Sequence, residues 1–312
     1  MGWIFLATIG QFINAIVAFF DKYIVSDEKS VPDPFVYAFY TCLLTGSWVL
    51  IYLVAFIPGF SIWGIPNMNN IQKPSIQVIS MSFLAGYTLF MALTAMYTAL
   101  RKAEAVNVMP VVGTVSALVT FFLNYWLLEV IPSTNVVWGI SLLSLGTLLV
   151  AQTLPQLVTI LNTVHSGLFF ALHYITMKGL FMDTSFDNGF FWSRIGMALF
   201  AVSLLLVPSY YHKIMGTTKT ASRSAGIIVL IAKVLSGIAA FLILKATDLG
   251  DVAVVQALDG VKFVFILVIA LVLSPLLPRA AVTKTPYSRP REVIQQTAYI
   301  VLIAIGYVIL FL

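Results

Sequence analysis

Residues 105–128 read AVNVMPVVGTVSALVTFFLNYWLL, with no Asp, Glu, Lys or Arg between Glu104 and Glu129. At 1.5 Å rise per residue this run makes a helix of about 36 Å, longer than the roughly 30 Å hydrocarbon core of a bilayer. Only helices and closed barrels satisfy their backbone hydrogen bonds in lipid. Barrel strands alternate polar and apolar residues over about ten positions, whereas apolar residues here run on without alternation. The segment is therefore read as a membrane-spanning helix. It is bounded by Arg101-Lys102-Ala103-Glu104 on one side and Ile131-Pro132-Ser133 on the other, where charge and turn formers end the apolar pattern.

Working outward, the same alternation of apolar run and polar break covers the chain. Of 312 residues, 60% are hydrophobic and 9% charged, against roughly 25% charged in soluble domains, so a soluble fold is excluded. Hydropathy predicts an all-α membrane protein of ten transmembrane helices, near 2–23, 34–57, 75–100, 105–128, 135–154, 156–181, 188–208, 225–246, 250–275 and 294–312. Polar loops are expected at Asp27-Glu28-Lys29-Ser30, from Ser209 to Arg223 and, the longest, from Val282 to Arg291. The start, Met1 to Phe20, lacks a basic n-region and a small-residue cleavage site and reads as the first span. Cys42 is the only cysteine, which excludes an intramolecular disulfide or a cysteine metal site. No metal or cofactor is expected. The net charge of +5 reflects loop Lys and Arg that orient membrane proteins, and no nucleic-acid partner is inferred from it.

Of the 17 Lys and Arg, eleven follow odd-numbered helices (Lys22, Lys29, Arg101, Lys102, Lys213, Lys219, Arg223, Arg279, Lys284, Arg289 and Arg291) and three follow even ones (Lys73, Lys178 and Lys245). The positive-inside rule places the eleven in the cytoplasm and both termini outside it. Ten helices divide at Gln152 to Gln156 into residues 1–154 and 155–312. With five helices in each half, the second half enters the membrane in the opposite sense, the arithmetic of an inverted repeat. Ala-Leu-Arg-Lys-Ala at 99–103 and Ile-Leu-Lys-Ala-Thr at 243–247 are a faint echo of it. Each precedes a helix ending near Pro132 or Pro278.

Ala105, Met109-Pro110-Val111, Leu127-Leu128-Glu129, Gly139 and Gly146 together reproduce the spacing of the EamA domain of the drug/metabolite transporter superfamily, which this chain resembles. The motif residues fall in 99–151, and the second half lacks the matching Pro-Val. The resemblance implies a secondary transporter built from two inverted five-helix repeats, in a bacterial inner membrane. Bacterial relatives export amino acids or related metabolites, and eukaryotic ones exchange sugar phosphates and nucleotide sugars. Read on their own, Pro110 removes a backbone hydrogen bond within a spanning helix, Gly139 and Gly146 share a helix face suited to close packing, and Glu129 lies at a helix end.

A charge at the bilayer centre costs at least about 2.5 kcal/mol, so each one needs a compensating reason. Arg194, Lys233 and Lys262 fall inside spans, as do Asp259, Gln256, His165 and His173. Gln256, Asp259 and Lys262 share a face at i, i+3 spacing. Asn162, His165, Ser166, His173 and Thr176 form a second polar stripe, Thr8, Gln11, Asn14 and Asp21 a third, and Tyr87, Met91, Thr94 and Thr98 a milder fourth. Four such faces can line one cavity. Against Asp259 alone, the three cations give it a surplus of two positive charges, which suits a carboxylate or phosphate on a substrate. Trp192, Phe169, Tyr174 and Tyr87 can stack an organic body. The structural alternatives are a permanent Asp259–Lys262 pair across one turn and neutral histidines bonded to neighbouring helices.

The predicted function is secondary active transport of a small polar metabolite (amino acid, organic acid or phosphorylated metabolite) by alternating access. Asp259, His165 and His173 are candidates for a coupling proton. The chain has no zinc-protease motif, P-loop or intramembrane protease pattern, so it is not expected to be an enzyme. The partners expected are a small-molecule substrate and the lipid bilayer, with the oligomeric state left open. A non-transporting receptor or scaffold, with all its charges mutually satisfied, is the alternative.

Overall fold

The computed structural model describes residues 2–26, 33–54, 68–151, 157–220, 223–273 and 290–310. Among these the protein is helical and has no strand. The helices are α1 (Gly2–Ser26), α2 (Pro34–Gly46), α3 (Ile51–Val54), α4 (Ile76–Lys102), α5 (Ala105–Leu127), α6 (Thr134–Val150), α7 (Leu157–Asp183), α8 (Phe186–Leu204), α9 (Pro208–Thr220), α10 (Arg223–Leu249), α11 (Val252–Ala257), α12 (Asp259–Leu273) and α13 (Pro290–Ile309). Among the described residues six helical spans are long and apolar enough to cross a bilayer, or seven if the bent α8–α9 pair is one span. The chain is an all-α, multi-pass membrane protein. The Gln152–Gln156 junction, Asp27 to Ser30, Pro278 and most of the loop from Val282 lie outside the described residues.

The helix ends follow from local chemistry. Asp33 Oδ1 accepts from the Phe35 and Val36 amides at 3.0 and 3.2 Å, with Pro34 opening α2. Ser75, Ser133 and Ser185 likewise cap α4, α6 and α8, each satisfying an orphan amide of a first turn. After α5, Glu129 takes a left-handed conformation (φ 55°) while the Val130 amide donates back to Asn124 O at 3.3 Å. That closes the helix in the manner usually given to glycine.

The second span is one helical stretch from Pro34 to Leu53, tightened to a 3₁₀ turn at Ser47–Leu50 before α3. Two expectations are corrected here. The polar stretch from Ser209 is a helix to Thr220 and not a loop. Pro208 starts it where a missing amide costs nothing, and the chain bends by 97° between α8 and α9. Lys213 on α9 reaches Asp33 Oδ2 at 3.1 Å and buries Ile214 beneath it. The ninth predicted span is interrupted at Leu258, where the Val261 amide reaches only three residues back to Leu258 O.

Packing is dominated by α4 against α7 and α1 against α10, with α6 paired to α13 at the margin. The α6–α13 approach depends on glycine. A Cβ on Gly306 would stand 2.8 Å from Leu143 N, and one on Gly139 would stand 2.5 Å from Leu310, so the packing reading of Gly139 holds. Two lysines tie helix ends together. Lys22 on α1 donates to Leu100 O and Ala103 O at 2.8 and 3.0 Å, at the end of α4. Lys178 on α7 donates to Thr247 O, Asp248 O and Gly250 O at 2.9, 3.1 and 2.9 Å, at the end of α10. Each ammonium meets carbonyls left unsatisfied by a helix terminus and the negative end of its dipole. Lys22, grouped from the sequence with the loop charges, is thus a buried structural residue.

Candidate functional site

A cavity of about 140 Å³ lies between α1, α2, α4, α5, α7, α8, α10 and the α11–α12 break. Its wall carries Asn14 and Asp21 of α1, Tyr97 of α4, Ser116 of α5, His173 and Tyr174 of α7, Arg194 of α8, and Gln256, Asp259 and Lys262 around the break. Six of the nine residues singled out from the sequence therefore meet at one place: Asn14, His173, Arg194, Gln256, Asp259 and Lys262.

The other three do not line it. His165 is exposed on the outer face of α7 and stacks on Phe169, with ring centroids 4.8 Å apart. Gln11 is buried one turn from Asn14 but off the cavity wall. Lys233 is buried behind the wall and donates to Asp21 Oδ1 at 2.8 Å and Tyr97 Oη at 3.0 Å. Nor do all the expected aromatics face inward. Phe169 and Tyr87 meet edge to face at 5.9 Å and Trp192 donates its indole N–H to Gln72 O, so of the four only Tyr174 reaches the cavity.

The charge of the site differs from the sequence estimate for one reason, Asp21. It lies near the end of α1, on the third polar stripe, but was left out of the charge sum, which set the three cations against Asp259 alone. The structure buries it against Lys233, with both side chains under a tenth exposed. Tyr37 donates to Asp21 Oδ1 at 2.5 Å, Tyr97 Oη lies 3.5 Å from Oδ2, and the ammonium sits 4.3 Å from the Tyr37 ring. The carboxylate thus meets one ammonium and two hydroxyls. Three cations now face two carboxylates, and the surplus is one positive charge, not two.

Lys262 donates to both oxygens of Asp259, at 2.7 and 2.8 Å, so the one-turn pair predicted from spacing forms. Gly113 makes room for it: a Cβ there would stand 2.7 Å from Asp259 Oδ2. Arg194 is the charge left over. It is 2% exposed, and among the described residues its Nε and Nη2 have no hydrogen-bond partner. The guanidinium carbon lies 4.5 Å from the centre of the Phe190 ring, a favourable contact that does not replace an anion. His173 Nδ1 faces Ala85 O at 3.0 Å. A carbonyl only accepts, so Nδ1 carries a proton. The structural reading of His173 as a side chain bonded to a neighbouring helix is in this respect correct. Ser116 Oγ lies 3.4 Å from Gln256 Oε1, while Gln256 Nε2 is buried and, among the described residues, has no partner within 3.5 Å. Ser116 was absent from the sequence reading. It sits one helical turn from Gly113 on a helix otherwise read for its apolar character.

The whole chain is similar in fold to a protein of known crystal structure. The TM-score is 0.61 over 98% of this chain and 97% of the other, at 16% sequence identity, so the likeness is one of fold alone. No family model and no curated protein matches the sequence.

Proposed function

We propose that this protein is a secondary active transporter of a small polar, anion-bearing metabolite, moved by alternating access through the cavity between its helices. The observation that carries the reading is Arg194. A permanently charged guanidinium, buried on the wall of an intramembrane cavity with its donors unmatched, is costly unless an anion comes to it. Ligand sites of transporters lie beside interrupted helices, and the α11–α12 break supplies one.

The ten-helix, two-repeat architecture of the EamA-type drug/metabolite transporters belongs to the same proposal, and several features support it. Helices α4 and α10 are both 27 residues long. Each is followed after two residues by a helix with an acidic N-cap, Glu104 before α5 and Asp251 before α11. Lys22 and Lys178 play the same part at the ends of α4 and α10. The contact of α7 with α4 is mirrored by that of α1 with α10, and α6 and α13 pair with each other away from the cavity. Placement in a bacterial inner membrane, both termini non-cytoplasmic, completes the proposal.

The second reading, a non-transporting receptor or scaffold, is favoured by the two ion pairs, which satisfy four of the five charges. Reconstitution separates the two. Purified protein in liposomes preloaded with amino acids, organic acids or phosphorylated metabolites is expected to exchange at least one class with labelled external solute, and Arg194→Gln is expected to abolish the exchange. Binding of such a solute with no flux would favour the receptor.

A further inference from the structure

The cavity also constrains the chemistry of its occupant, an inference that rests on the transport reading above. We propose that the cavity binds a small monocarboxylate, gripped along one edge of the Arg194 guanidinium. Charge is the first argument. Lys262 is committed to Asp259 and Lys233 to Asp21, which leaves one uncompensated cation. A single negative charge neutralises it. A phosphate monoester carries close to two negative charges at neutral pH and would overshoot, while a zwitterionic amino acid would leave the guanidinium's charge standing.

Geometry is the second. The two unpartnered buried donors, Nε and Nη2, lie side by side on the same edge of the guanidinium plane. Their N–H bonds run parallel, the fork that matches both oxygens of a planar carboxylate. Phe190 covers one face of the group, and the edge carries the donors that have no partner among the described residues. Size is the third. A cavity of about 140 Å³ compares with the roughly 150 Å³ that holds one benzene molecule, too little for a sugar phosphate or a nucleotide sugar. The unpartnered Gln256 Nε2 on the same wall supplies a donor for a further oxygen on the acid.

The test uses the purified full-length protein and four probes: propanoate, benzoate, methyl phosphate and alanine. A bound ligand raises the unfolding temperature by mass action. Propanoate or benzoate is expected to raise it in a concentration-dependent manner, with methyl phosphate and alanine at least tenfold weaker. Arg194→Lys keeps the charge but removes the fork, and is expected to weaken carboxylate binding at least tenfold. Should that variant fail to fold, the ranking of probes on the natural protein decides alone. The proposal is overturned if methyl phosphate or alanine binds as well as the carboxylates, or if neither carboxylate binds. Liposome exchange then distinguishes the two claims. Carboxylates that bind without being carried count against transport and leave the site intact, whereas exchange of another class alone counts against the carboxylate and leaves transport intact.

Discussion

Replacing Lys233 by Met is expected to destabilise the protein severely, although Lys233 does not itself line the cavity. The ammonium donates to Asp21 at 2.8 Å and to the Tyr97 hydroxyl at 3.0 Å, and it lies 4.3 Å from the Tyr37 ring. Met fills the volume of the side chain but strands Asp21 as a buried carboxylate. Breaking a buried ion pair by removing one partner costs about 3–5 kcal/mol. Tyr37 stays in place to donate to Asp21, and a hydrogen bond to a charged group is worth about 1.5–3 kcal/mol, which sets the expectation near the lower bound. Asp21→Asn in the same chain removes the stranded charge. The double variant is then expected to recover most of the loss, because neutral replacement of a buried pair is often close to neutral in stability. Equilibrium unfolding of the natural protein, both single variants and the double variant gives the coupling energy, expected to exceed about 2 kcal/mol. A Lys233→Met protein within about 1 kcal/mol of the natural one would refute the argument.

Lys178→Met removes donors from three carbonyls at the end of α10. Amide hydrogen exchange is expected to rise at 247–252 and to stay unchanged in α6 and α13; uniform exchange would sink the capping role. Asp259→Asn frees the Lys262 ammonium and raises the cavity's surplus to two positive charges, so the affinity ratio of methyl phosphate to propanoate is expected to rise about tenfold, or 1.4 kcal/mol. An unchanged ratio would show that the cavity's net charge does not select its ligand. Reporter fusions address orientation: a fusion after Leu312 is expected to report a non-cytoplasmic location and an insertion near Thr217 a cytoplasmic one, and the reverse pattern would overturn the orientation.

The sequence was most legible where one chemical signal dominated. Long charge-free runs located the helices, and breaks such as Arg101 to Glu104 and Ile131 to Ser133 marked where they end and begin. The α11–α12 interruption was invisible because no proline stands between Val252 and Leu273; at the interruption Asp259 lies against Gly113 of α5 and Gly260 against Thr147 of α6. Helix α9 was hidden by its polarity, since a short helix stabilised by contacts at Asp33 and Phe35 has no apolar run to betray it. In the site, spacing along one helix found Asp259–Lys262 but could not find Asp21–Lys233, whose members are 212 residues apart. His165 misled for a related reason. A histidine on an apolar helix looks buried until the neighbours of that helix are known, and its side of α7 has none to meet it.

The two ion pairs differ in what they allow to move. Asp259 and Lys262 belong to one helix and travel together in any rigid displacement of α12. Asp21 and Lys233 join α1 to α10, and separating those helices would strand two buried charges at a cost of several kcal/mol. Hydrogen bonds from Ser166 to Ala92 O and from His173 to Ala85 O join α7 to α4 in the corresponding way. Lys22 ties α1 to the end of α4, Lys178 ties α7 to the end of α10, and Lys233 reaches Tyr97 of α4, so any motion of the α1–α10 pair against the α4–α7 pair must break or carry these bonds. The cavity lies between the two pairs. Helix α8, bearing Arg194, packs against α4, and α12, bearing Asp259 and Lys262, packs against α1. An anion on Arg194 therefore faces the neutral Asp259–Lys262 pair across the cavity. In the transport reading proposed above, an anion on Arg194 removes the unbalanced charge that closing an empty cavity would bury, so occupancy would lower the barrier to closure.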